Sequence, residues 1–485
     1  MITWGLRPRL YAYVCFADSL TERAVMIRSD EENLSLAISP ESVDELNARF
    51  YGKYSFPWRP VKFDSLVDPD FETMMLNQAL GDWKHKRVAA NSEIWVAGCG
   101  TNQAAFTALR FPKANVTGSD VSAESLQACG QSAKDIGISN LELRRESINQ
   151  SQYRNRFDYV ICTGVIHHNA DPEAALTKLA DALKPNGVME LMVYNRYHRI
   201  VTSVFQKAVR MLTGNTSAPD FEAELEMAKH LIADYPVRNL ISSLFTDWDT
   251  IPEAALADRL IQPVEYSYTV ESLDAMASRC GLEIVLPCMN SYNKLLKEYS
   301  WNLHFKDSHL QKSYDSLPDV RRWQVTNLLL FEKSPMLWFY LQKKGSSQRK
   351  SEKEVCDEFL DTTFVKTTTQ QRAYVLQDDG RYKTSDRLNN FPQASPDASV
   401  KEIFEAADGK TVMRDLLERH GFDMTFSNVN AARIQLTTPA FPFLKAIDRR
   451  ADLPADDEQW RLKAEELQRF QAQRFNRLNR RSASK

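Results

Sequence analysis

Apolar residues in the middle of the chain fall into short runs at 94–96, 115–118, 141–144, 157–162, 188–194, 282–286 and 336–341. Runs of this length, continuous rather than alternating, suit strands that are buried on both faces. Amphipathic stretches with helical spacing lie between them. Ala104, Ala105, Phe106, Ala108 and Leu109 share one face of a helix that starts at Asn102. Ser122 is placed to cap a helix over 123–136 that Gly137 ends. Asp171, Pro172 and Glu173 open a third helix with proline in its first turn and acids near its N-terminus. Strand alternating with helix predicts an α/β fold, a Rossmann-like doubly wound sheet of seven strands, the last one antiparallel. Helix-rich insertions at 195–263 and 287–334 leave the sheet at carboxyl ends of strands, so both are expected to roof a site there. The aromatics of the insertions, Tyr292, Tyr299, Trp301 and Trp323, are either core or pocket lining.

The flanks differ from this core. Residues 1–60 form an N-terminal extension with strands expected at 10–16 and 24–27 and a helix at 42–50. It ends in Phe50-Tyr-Gly-Lys-Tyr-Ser-Phe-Pro-Trp-Arg-Pro60, which reads either as a loop tucked against the core or as an aromatic cap over a ligand. The sheet domain spans 61–342, and the polar stretch 343–353 has no apolar period and reads as a linker. Residues 354–485 are expected to form a small α+β domain with helices at 399–406 and 411–420 and strands at 373–376 and 433–436. Its helix–turn–helix–strand order loosely resembles a winged-helix module. Arg414, Asp415, Glu418 and Arg419 carry balanced charge, which argues against a DNA phosphate surface. From Trp460 onward an arginine-rich helical tail is predicted.

Candidate chemistry gathers at Glu93-Ile-Trp-Val-Ala-Gly-Cys-Gly-Thr-Asn-Gln103. Gly98 and Gly100 break the strand where a ligand can approach the backbone. About twenty residues on, the next strand ends in Asp120, where an acid can accept hydrogen bonds from a ribose diol. A dinucleotide fingerprint needs a third glycine to close around a pyrophosphate, and Gln103 stands there instead. The segment resembles motif I of class I S-adenosylmethionine-dependent methyltransferases. The pair ALKPNG and VMELMVYN at 182–195, and Thr163-Gly-Val-Ile-His-His-Asn at 163–169, resemble later motifs of the bacterial small-molecule members of that family.

The resemblance implies S-adenosylmethionine as cofactor, held by Ala97, Gly98, Cys99, Gly100, Asn102 and Gln103 at the turn and by Asp120 and Val121 at the ribose. Ser147, Ile148 and Thr163 complete the set. Ser147 occupies the position where many members carry an acid for the adenine amino group, so here the backbone and side chain of Ile148 are left to hold the ring. The segment with His167 and His168 faces the methyl acceptor in the family. Adjacent side chains cannot both point the same way, and His168 is the preferred contact, with His167 and Tyr194 as further catalytic candidates. The alternative is that these histidines are structural.

Bulk properties narrow the classes. The 485 residues are 43% hydrophobic and 26% charged, as in an ordinary globular protein of two or three domains. A net charge of −3 offers no global attraction to nucleic acid. The seven cysteines form no C-x-x-C pair, so reduced thiols in a cytoplasm are expected, with no metal. The N-terminus does not read as a signal peptide, and no apolar run approaches the roughly 18 residues that span a bilayer. The expected function is methyl transfer to O or N of a small-molecule metabolite, with no membrane or nucleic-acid partner and an open oligomeric state, homodimer included. The alternatives are an RNA or peptide methyltransferase that docks its substrate on the C-terminal domain, and an inactive cofactor-binding scaffold.

Overall fold

The computed structural model describes residues 40–447, apart from 84–86, 215–218, 235–236, 238–249, 289–300 and 347. The strands expected at 10–16 and 24–27, Tyr292, Tyr299 and the arginine-rich tail lie outside the described residues. After helix α1 (Pro40–Lys53), strand β1 (Lys62–Leu66) and helix α2 (Phe71–Ala79), one sheet dominates. Its strands are β2 (Glu93–Ala97), β3 (Asn115–Asp120), β4 (Leu141–Arg145), β5 (Phe157–Thr163), β6 (Leu183–Val193), β7 (Leu282–Pro287) and β8 (Leu337–Lys343). They run in the order β4-β3-β2-β5-β6-β8-β7, and β8 is antiparallel to both of its neighbours. Strand order reverses between β2 and β5, and such a reversal opens a crevice at the carboxyl ends of the strands.

The central strands are apolar because both faces are covered. Ile94, Trp95, Val96 and Ala97 are fully buried, and the Trp95 indole Nε1 donates to Ser119 Oγ at 2.9 Å, so its polar atom is satisfied in the core. Helix α3 (Gln103–Arg110) lays Ala104, Ala105 and Ala108 against the sheet. Helix α4 (Ala123–Ile136) starts at Ser122, whose hydroxyl accepts the Ser125 N–H at 3.1 Å, and stops at the left-handed Gly137. Helix α5 (Pro172–Ala182) is capped by Asp171.

The first insertion contributes α6 (Arg196–Leu212), α7 (Phe221–Ala233) and the helix Glu253–Leu260. With α1 they enclose a separate apolar cluster of Phe50, Tyr54, Phe205, Phe221, Leu225 and Leu256. Phe50 and Phe221 meet edge to face at 5.2 Å, which locks α1 onto the insertion. In the second insertion Trp301 and Trp323 pack on Phe339, at 5.2 and 5.4 Å between ring centres, so both tryptophans are core.

The C-terminal region does not stand apart. After β9 (Phe364–Lys366), β10 (Thr369–Leu376) pairs with β1 on one side and with β11 (Tyr382–Phe391) on the other. Gln78 on α2 donates to the carbonyls of Thr437 and Leu444 at 3.1 and 3.2 Å and accepts the Ala446 N–H at 2.8 Å. One apolar cluster runs from Phe63 and Ile94 to Leu417 and Leu444. Residues 433–436, expected as a strand, belong instead to the helix Phe426–Thr437, because Val429, Ala432 and Leu436 face the core at helical spacing.

The expected linker is a seam. Ser351 caps the helix Glu352–Leu360, and Glu352, 1% exposed, accepts from Arg322 at 2.6 Å and from the Trp323 indole at 3.2 Å, with Arg433 at 3.5 Å. Burial alone would raise this carboxyl; Arg322 and Arg433 outweigh that and hold it below the usual range. Polar residues at 343–353 look like a tether in sequence, yet here a charged side chain is the joint. Glu352→Gln should therefore cost about 3–5 kcal/mol in urea unfolding, since it leaves the buried Arg433 without a carboxylate and Arg322 with Asp319 alone. A chain ending at Lys350 should aggregate, and full solubility of that fragment with an unchanged unfolding midpoint in the variant would contradict the joint.

Candidate active site

A cavity of ≈ 450 Å³ opens at the carboxyl ends of the central strands. The turn after β2 forms its base, with Gly98 at φ +68° and Gly100 at φ +53°. A side chain at Gly98 would place its Cβ 2.5 Å from Val165 Cγ1, and one at Gly100 would sit 3.0 Å from the Phe56 carbonyl oxygen. Both positions therefore need glycine for conformation and for space. Asp120, at the end of β3, is fixed from behind: Oδ2 accepts the Gly100 N–H at 2.8 Å and Oδ1 the Ser122 N–H at 2.9 Å. Burial raises its carboxyl, and these amides oppose the rise. Each oxygen keeps a second lone pair for a ligand.

Helix α1 and the segment after it cover this base. Phe56 and Pro57 line the cavity, and the Thr101 hydroxyl donates to the Pro57 carbonyl. Asp44 reaches Ser147 Oγ at 2.5 Å and Asn149 Nδ2 at 3.3 Å. The position that lacks an acid in the sequence thus receives a carboxylate from α1. Asn47 donates to the His168 carbonyl at 2.8 Å.

The other end of the cavity is lined by Tyr51, His168, Tyr194 and Asp258. His168 Nδ1 lies 2.7 Å from the Val264 carbonyl, which can only accept, so Nδ1 carries the proton and Nε2 of the neutral ring has a free lone pair. Burial lowers its pKa below 6.5, and Asp258 and Glu265 oppose that shift in part. Asp258, from the insertion helix Glu253–Leu260, accepts the Tyr51 hydroxyl at 3.1 Å. Arg199 lies over the Tyr194 ring at 4.3 Å and is held there by Glu265.

Of the residues singled out in the sequence, Gly98, Cys99, Gly100, Asn102, Gln103, Asp120, Val121, Ser147, Ile148, Thr163, His168 and Tyr194 all line this one cavity. Ala97 and His167 do not. Ala97 is fully buried in β2; His167 is fully buried behind its neighbour, with its ring 3.9 Å from that of Tyr194 and neither nitrogen hydrogen-bonded. Burial pushes the His167 pKa well below 6.5, so it is neutral. Tyr51, Phe56 and Pro57 come from the segment 50–60 that the sequence offers as an aromatic cap, whereas Asp44, Asn47 and Asp258 were missed. They arrive from elements far along the chain, and no local motif marks them. Among the described residues the first insertion contributes to the cavity lining and the second does not; residues 289–300 of the second lie outside the described residues.

Residues 95–189 match the family described as methyltransferase domain. The strand order and the Gly98–Asp120 cradle agree with that match. The chain carries a class I S-adenosylmethionine-dependent methyltransferase domain. The cofactor of the methyltransferase domain is S-adenosylmethionine, and the glycine cradle with the anchored Asp120 fits its nucleoside. The tRNA U34 carboxymethyltransferase of Campylobacter jejuni is 26% identical over 174 residues, 33% of this chain and 55% of that protein. The ubiquinone biosynthesis O-methyltransferase of Erwinia tasmaniensis is 27% identical over 119 residues, 24% of this chain and 48% of that protein. The solved structure of PKMT2 from Rickettsia typhi in complex with AdoHcy covers 82% of this chain and 76% of its own at 14% identity, with a TM-score of 0.49. The chain spans between 48% and 60% of the length of the first curated relatives it matches.

Since Gly98 combines a left-handed backbone with a blocked Cβ, Gly98→Ala should destabilise the methyltransferase domain by about 1–3 kcal/mol. Thermal unfolding reads this directly, and a wild-type midpoint would mean that the turn tolerates a side chain.

Proposed function

We propose that the protein transfers a methyl group from S-adenosylmethionine to O or N of a small-molecule acceptor. The observation that carries this reading is the continuity of the cavity, which joins the Gly98–Asp120 cradle to an end lined by His168, Tyr194, Tyr51 and Asp258. In this reading the turn 98–103 receives the cofactor, with Ala97 supporting it from the strand below. Asp120 and Val121 take the ribose, Ser147 and Ile148 the adenine, and Thr163, bonded to Gln103, the remainder.

The cofactor supplies a sulfonium-activated methyl group when bound. The chain's own contribution is to align the acceptor and keep water away, which together can account for most of the rate. A base helps when the acceptor is a hydroxyl or a protonated amine. His168 Nε2 is the candidate: it lines the cavity and is kept neutral. Tyr194 orients the acceptor beside it, and His167 holds the Tyr194 ring from behind as a positioning residue.

Similarity to a tRNA-modifying relative favours RNA as the second reading. Against it stands the lining of the cavity, which among the described residues includes Asp44, Asp120, Glu146 and Asp258 but no lysine or arginine. A polyanion requires the opposite.

Three outcomes are expected of the full-length chain. Asp120→Ala should weaken S-adenosylhomocysteine binding at least about tenfold in calorimetry, since hydrogen bonds to a charged group are worth roughly 1.5–3 kcal/mol each. Equal affinity would sink the cofactor site. With an acceptor in hand, His168→Ala should lose about 10²–10⁴ in rate while that affinity holds. A base acts only when unprotonated, and burial lowers the pKa of His168, so kcat/KM should fall on acidification with its midpoint below pH 6.5. A wild-type rate in His168→Ala would leave alignment alone as the catalytic device.

A further inference from the structure

The acceptor end carries a buried carboxyl group to which, among the described residues, no cation is bonded. Asp258 is only 8% exposed, yet it lines the cavity. Among the described residues its hydrogen-bond donor is the Tyr51 hydroxyl, a neutral group. A buried carboxylate is strongly disfavoured unless a cation or several donors attend it. The guanidinium that acts on it through space is already committed: Arg199 donates from Nε to Glu265 at 2.7 Å, makes a second contact to the same carboxylate, and reaches the Arg259 carbonyl at 3.3 Å. Gln206 also donates to Glu265, at 3.3 Å. Arg199 and Glu265 cancel, Arg259 does not line the cavity, and His167 and His168 are neutral. Burial pushes the Asp258 carboxyl above its usual range, Arg199 opposes that only from a distance, and a cation bound in the cavity would favour the carboxylate.

The walls around that carboxyl group are aromatic. Tyr51 and Tyr194 both line this end; the Tyr51 ring centre is 6.5 Å and the Tyr194 ring centre 5.4 Å from that of His168. Aromatic faces with a carboxylate among them attract organic cations, and the attraction grows as water is removed. An alcohol or a phenol would leave Asp258 uncompensated. A carboxylate or phosphate acceptor would meet like charge.

Resting on the methyl-transfer reading above, we infer that this end takes an alkyl amine as its ammonium ion, bound by the Asp258 carboxylate between the rings of Tyr51 and Tyr194. The proton and charge balance follow. The bound ammonium gives one proton to His168 Nε2, which frees the nitrogen lone pair. That pair forms the N–CH₃ bond as the S–CH₃ bond breaks, and the electrons of the broken bond return to sulfur. The positive charge that began on sulfur ends on nitrogen beside Asp258, where it is stabilised as it develops. S-adenosylhomocysteine and the methylated ammonium leave, and His168 passes its proton to solvent.

The amine can come from a free metabolite or from a lysine side chain, and the experiment separates these. Full-length protein saturated with S-adenosylhomocysteine is titrated in a calorimeter with n-butylammonium and, separately, with a lysine-containing peptide. A parallel series uses n-butanol and butyrate. At least one of the two amine probes should bind, the neutral and anionic probes should not, and Asp258→Asn should weaken the amine at least tenfold while S-adenosylhomocysteine affinity is unchanged. Binding of n-butylammonium alone points to a small molecule, and preference for the peptide points to a protein lysine. Failure of both amines to bind the loaded protein, or equal amine binding by Asp258→Asn, overturns the inference. Failure to bind S-adenosylhomocysteine at all overturns the methyl-transfer reading instead.

Discussion

The pair of backbone hydrogen bonds that fixes Asp120 is the contact on which the site depends. Gly100 can donate to Oδ2 only because Gly98 and Gly100 turn the chain through left-handed conformations after β2. Ser122 can donate to Oδ1 only because it is also the cap of α4. One carboxylate thus ties together the ends of two central strands and the start of a helix, at the point where strand order reverses. Side-chain position is set here by backbone geometry, which leaves little freedom for Asp120 to relax when a ligand arrives.

Above that base the cavity is closed by parts of the chain that the sheet does not require. Helix α1 is pinned to the first insertion through Phe50 and Phe221, and the two together deliver Asp44, Asn47, Tyr51 and Asp258. Apolar packing outside the site therefore places the polar groups inside it. The same economy appears at the far side of the sheet, where Glu352 joins Arg322 and Arg433 and fuses the C-terminal region to the domain. Among the described residues, the carboxylates that line the cavity are Asp44, Asp120, Glu146 and Asp258, and no lysine or arginine stands among them.

Much of this was legible in the sequence, because strand runs, caps and glycine turns are local. Ser122 and Gly137 bound α4 as their chemistry requires, and the seven strands fall where the apolar runs are. What was hidden depended on distant partners. The stretch 343–353 is polar, and only Arg322 and Arg433, far away in sequence, turn its Glu352 into a joint. Asp44 and Asp258 look like ordinary helix surface until α1 and the insertion fold over the sheet. Of the adjacent histidines the sequence favours His168 as the one facing the acceptor, and packing against Tyr194 places His167 behind it.

A co-crystal structure with S-adenosylhomocysteine tests the central claim most directly. The account predicts nucleoside density in the cavity, with both ribose hydroxyls on Asp120, the adenine beside Ser147 and Ile148, and the sulfur toward His168 and Tyr194. Density for the nucleoside elsewhere on the molecule, or in this cavity with the ribose turned away from Asp120, would contradict it.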